Sequence, residues 1–208
     1  MRWMWIDRVV ELVPKQRLVA VKHVSLAEEH LHDHFPASRG RAPLPVMPTS
    51  LIVEGCAQTA GILVGHAEDF REKVILAKIG KFEISRDALP GHTLRYTATI
   101  RQMDKVGAST VGTIELIEHT ATGSTATTIG SIDLMFSHLD NNMSGHEFPE
   151  HNFVFGESFR TLLTSSGISG NWEHRSTPTA PAQSTAWCSA RQTAPPRAAP
   201  HPPPPGTH

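Results

Sequence analysis

Leu94, Tyr96, Ala98 and Ile100 alternate with Arg95, Thr97, Thr99 and Arg101, the period of a strand with one buried and one wet face. Similar texture fills most of the chain. Asp7 to Leu12 and Arg17 to Ser25 are β-branched runs joined by Pro14-Lys15-Gln16, which has the turn chemistry of a hairpin. Val74 to Ser85, ahead of a turn at Leu89-Pro90-Gly91, predicts another strand, as do the Thr- and Ile-rich runs Val111 to Glu118 and Thr125 to Phe136. The stretch through His32, Pro36 and Arg41 is polar and irregular. One segment has a different character: Ser50 to about His66 reads as a helix, with Pro48 before it, Ser50 placed to cap it and Gly65 near its end. Leu51, Ile52, Val53, Cys56, Ala57, Ile62 and Leu63 make it apolar on nearly all sides, so it must be buried. The sum is an α+β fold, a curved antiparallel sheet wrapped around one long central helix. No internal repeat is present.

Composition narrows the picture without changing it. Apolar residues are 39% and charged residues 19% of 208, as expected for one globular domain. No apolar run approaches the roughly 18 to 20 residues of a membrane span, and Asp7 and Arg8 interrupt the start before a secretory leader can form. A cytoplasmic protein without a membrane partner is the expectation. The formal charge is −1, with no basic block to neutralise a phosphate backbone, which argues against nucleic acid. Cys56 and Cys188 read as ordinary thiols. Nine of the sixteen prolines fall between Ser169 and His208, where aliphatic residues nearly vanish. Residues 1–168 are therefore read as the domain and 169–208 as a disordered, inert tail.

Glu54 is the most informative residue, because a carboxylate in an apolar helix needs a partner or a proton: burying a bare charge costs several kcal/mol. Gln58, four residues on and on the same face, is placed to hydrogen-bond it. Gly61 and Gly65 continue that stripe. They either leave a groove in which an acyl chain lies beside the acid, or allow tight packing of helix on sheet. His23, His66, His92 and His119 stand alone and read as structural histidines.

The blocks His34-Phe35-Pro36, Pro45-Val46-Met47-Pro48 and Leu51-Ile52-Val53-Glu54-Gly55-Cys56-Ala57-Gln58 resemble, in order, the signature of the β-hydroxyacyl-acyl-carrier-protein dehydratases of fatty-acid synthesis. Ile6-Asp7-Arg8-Val9-Val10-Glu11-Leu12 and Ala77-Lys78-Ile79-Gly80-Lys81-Phe82 extend the resemblance to roughly residues 3 to 140. It implies a hot-dog fold, dehydration of a 3-hydroxyacyl thioester on acyl carrier protein, and His34 as base with Glu54 as acid; no cofactor or metal is expected. It also implies a homodimer whose two catalytic side chains come from opposite subunits. Phe35, Met47, Thr49 and Gln58 are then the substrate-binding residues.

The chemistry suits these groups. The α-hydrogen of a thioester is weakly acidic and the β-hydroxyl leaves poorly, so elimination needs a base at one carbon and a proton donor at the next. A neutral imidazole is available as base near pH 7, and backbone N–H groups around Thr49 and Ser50 at the helix start can bind the thioester oxygen. Two departures from the family pattern stand out. Residues 37–44 lengthen the interval from His34 to Glu54, an insertion that can bulge outward at little closure cost or cover the site, with Arg39 and Arg41 facing solvent or the carrier. Thr49 stands where glycine is usual. The rival readings are a thioesterase, a dehydratase that also isomerises, a noncatalytic acyl binder, and metal binding by His32-Asp33-His34.

Overall fold

A computed structural model describes residues 3–33, 35–139 and 154–170, without the side chains of His32, Asp33 and Leu139. The chain divides into two units, Met1–Arg175 and Ser176–His208. The second unit, and with it nearly all of the Pro-rich tail, lies outside the described residues.

The first hairpin forms where its turn chemistry places it. β1 (Arg8–Val13) and β2 (Arg17–His23) pair antiparallel, Gln16 N–H closing the turn on Val13 C=O at 3.1 Å, with Lys15 at φ 60°. Chain order then gives a short helix α1 (Glu29–Asp33), the long α2 (Thr49–Ala67), and strands β3 (Lys73–Ile84), β4 (Thr93–Met103), β5 (Gly107–Thr120) and β6 (Gly123–Leu139). A last helix, α3 (Glu157–Ser165), follows. The strands make one antiparallel sheet in the order β1-β2-β4-β5-β6-β3.

Leu94, Tyr96 and Ala98 of β4, Ile114 and Leu116 of β5, and Ile132, Leu134 and Phe136 of β6 are buried at two-residue spacing. They form one continuous apolar face. α2 packs against β2, β3, β4, β5 and β6 alike. Those strands span four spacings, about 19 Å, whereas a helix is about 10–12 Å across. The sheet curls around the helix, and all five strands reach it. This is the hot-dog arrangement, and the buried helix is what the sequence requires.

Two details differ from expectation, and a third bears on one of two expected alternatives. α2 starts at Thr49 with Pro48 at its N-cap and no side-chain cap bond, so Ser50 does not cap it. The polar stretch before it contains α1, and the chain after β6 contains α3, where neither helix was expected. The 37–44 insertion is exposed throughout: Ser38 and Arg41 exchange both backbone hydrogen bonds, at 3.1 and 2.9 Å, around Gly40 at φ 81°, a conformation glycine adopts without strain. It bulges outward.

Candidate active site

Glu54 lies in the second turn of α2 and is half-buried rather than enclosed. Its Oε1 accepts two hydrogen bonds, from Gln58 Nε2 at 3.0 Å and from the Trp3 indole N–H at 3.2 Å. Gln58 is itself fixed: its Nε2 also donates to Trp3 C=O at 3.1 Å, and its Oε1 accepts the Trp5 amide at 2.8 Å. The segment before β1 thus clamps the acid through the glutamine. Trp3 and Trp5 stack edge to face at 5.4 Å, and Trp5 meets His30 of α1 the same way at 5.1 Å.

Beside the carboxylate runs a cavity of about 240 Å³. Glu54, Ala57, Gln58 and Gly61 line it from one face of α2, and Val74, Leu76 and Phe136 from β3 and β6. Val154, Phe155 and Phe159 complete it from the chain leading into and along α3. The two glycines of the stripe differ in their surroundings. At Gly61 an added Cβ would meet only Phe136, at 3.6 Å, so the missing side chain leaves space. At Gly65 it would stand 2.5 Å from Phe155 Cζ, so this glycine exists for close packing.

The expected base, His34, lies outside the described residues, as do the side chains of His32 and Asp33 that the metal reading involved. Of the expected substrate-binding residues, Gln58 lines the cavity, whereas Phe35, Met47 and Thr49 do not. Phe35 is 39% exposed, Met47 is part of the core, and Thr49 is exposed at the first turn of α2. At that turn the Leu51 and Ile52 amides are satisfied by Pro48 C=O, so Thr49 and Ser50 supply the donors without an intrahelical acceptor. Trp3, Trp5 and the cavity walls went unread in the sequence. The Trp-x-Trp spacing was visible, but its partners are more than fifty residues away.

Other reactive groups on α2 are quieted by burial. It pushes the Cys56 thiol far above its ordinary range, which removes it as a nucleophile. It also lowers the His66 pKa, against the opposing pull of Asp69.

Residues 2–121 match the FabA-like domain family. The 3-hydroxyacyl-acyl-carrier-protein dehydratase FabZ of Ruminiclostridium cellulolyticum is 40% identical over 96 residues, 46% of this chain and 63% of that protein. FabZ of Caldanaerobacter subterraneus subsp. tengcongensis is 33% identical over 123 residues, 54% of this chain and 83% of its own length. The chain spans about three fifths of the length of the Ruminiclostridium cellulolyticum protein and of FabZ from Geobacter metallireducens, 63% and 58%. A solved thioesterase family protein from Silicibacter pomeroyi superposes with a TM-score of 0.49 at 11% identity, over 64% of this chain and 83% of that one.

Proposed function

Because the chain belongs to the FabA-like domain family, we propose that it eliminates water from a (3R)-3-hydroxyacyl thioester carried on acyl carrier protein, giving the trans-2-enoyl thioester in fatty-acid synthesis. The observation that carries this reading is a carboxylate at the polar end of an apolar slot, one oxygen held by Gln58 and Trp3. Oε1 accepts from both donors, and among the described residues Oε2 lies outside that network.

In the reaction, the His34 imidazole takes the α-proton while the thioester oxygen, gaining charge, accepts from amides at the start of α2. Glu54, as the acid, delivers a proton from Oε2 to the β-hydroxyl, which departs as water. The product holds a carbon–carbon double bond. The proton left on His34 passes back to Glu54 through solvent and resets the pair. His34 comes from a second copy of the chain in a homodimer, which closes the half-buried Glu54 from solvent. The soluble carrier and a described chain with no helix long and apolar enough to cross a membrane favour the cytoplasm.

Hydration of a crotonyl thioester, followed by loss of the enoyl absorbance, tests the assignment. His34→Ala and Glu54→Ala are each expected to lose on the order of 10²- to 10⁴-fold in rate. Either variant turning over like wild type removes that residue from the chemistry, and an inactive wild type removes the reaction.

A further inference from the structure

We propose that the slot beside Glu54 is a blind site for a medium-length aliphatic chain, closed at its far end by Phe155 and Phe159. The identity of the reacting end rests on the function proposed above; the chain-length limit rests on the cavity.

The slot has one polar end. Glu54 and Gln58 stand there, and among the described residues the rest of the lining, Ile62, Val74, Leu76, Phe136, Val154, Phe155 and Phe159 among it, offers no polar side chain. A ligand extending past Gln58 therefore meets only carbon, and an unbranched alkyl chain loses no hydrogen bonds by entering. From Glu54 to Gly61 is about 10 Å along the helix axis, which an extended chain covers in on the order of eight bonds. At Gly65 the route ends, because the Phe155 ring occupies the position of the missing side chain.

That end wall is braced. Phe155 is buried and meets Phe70 edge to face at 4.9 Å, with Phe159 beside it at 5.8 Å. Ser166 Oγ, just past α3, accepts the Val9 amide of β1 at 3.1 Å and ties the helix end to the sheet. The wall also lies beyond residue 121, where the match to the family stops.

Calorimetric titration of the full chain with saturated acyl-pantetheine thioesters measures the limit without any chemistry. Affinity should rise about fourfold per methylene from butanoyl to octanoyl, then stay level from dodecanoyl to hexadecanoyl. Phe159→Ala, at a half-buried position, should carry the rise on to dodecanoyl. Gly61→Leu, which fills the open floor while improving helix propensity, should end it before octanoyl. Superimposable profiles for wild type and both variants, or affinity that climbs without limit in wild type, overturn the proposal. If the profiles shift as stated but crotonyl thioester is not hydrated, the slot stands and the dehydratase reading falls. If hydration proceeds and the profiles do not shift, the reverse holds.

Discussion

Gln58 uses its whole amide. Nε2 donates to Glu54 and to Trp3 C=O, and Oε1 accepts from the Trp5 amide; a flipped amide would set a donor against the Trp5 N–H. The side chain is buried, so Gln58→Leu leaves the Trp5 amide without an acceptor and removes one of the two donors to Glu54. A buried donor left unpaired costs about 1–3 kcal/mol, which should appear as a lower urea midpoint at unchanged slope. Trp3→Phe behaves differently. Trp3 is 59% exposed, so the fold should lose little, while turnover falls roughly three- to tenfold at constant KM as the acid loses its second donor. A Gln58→Leu protein with the wild-type midpoint would show that the clamp is incidental. The pair Glu54 and Gln58 was legible because four-residue spacing puts both on one helix face in an apolar setting. The tryptophans were not, because nothing in a local pattern reports a contact fifty-one or fifty-three residues away.

Two glycines of α2 should respond to alanine with opposite signs. At Gly55 a Cβ would stand 2.7 Å from the Tyr96 ring, a fully buried side chain with no room to retreat. Gly55→Ala should therefore destabilise by about 1–3 kcal/mol from overpacking, despite the better propensity of alanine. At Gly61 the nearest atom is 3.6 Å away, and Gly61→Ala should stabilise by about 0.5–1 kcal/mol. Thermal unfolding of the two variants decides it, and equal effects would refute the packing argument. The same contrast shows why the helix itself was readable and the use of its glycines was not: the apolar run fixes burial, but only the neighbour across the gap distinguishes a void from a contact. The strands were read nearly to their ends for a similar reason, since period-two burial is written locally in residues such as Leu94, Tyr96 and Ala98. α3 was missed because nine residues are too few for intrinsic stability. It holds through the burial of Leu162 and Leu163 and the seating of Phe155 on Gly65, none of which a local window contains.

Among the described residues the curled sheet leaves two edge strands, and they are treated differently. β1 is short and its Val9 amide is taken by Ser166. β3 runs for twelve residues with Leu76 and Ile79 39% and 44% exposed, and β6 is its only strand neighbour among the described residues. A long edge with exposed apolar side chains is a template for another strand. Val74 and Leu76 of this edge also line the slot, so a second copy that pairs along β3 arrives beside Glu54. That is where the proposed mechanism needs the partner's imidazole. One surface would then serve both the proposed dimer and completion of the proposed site, and the two should fail together. Ile79→Asp places a charge in the middle of the paired edge, where the two-fold operation brings it near its own copy and desolvates both. Sedimentation should show a folded monomer at concentrations where wild type is dimeric, and crotonyl-thioester hydration should fall in step with the dimer fraction. A monomer that keeps the wild-type rate would mean that each chain supplies its own base, and an intact dimer would move the interface away from β3.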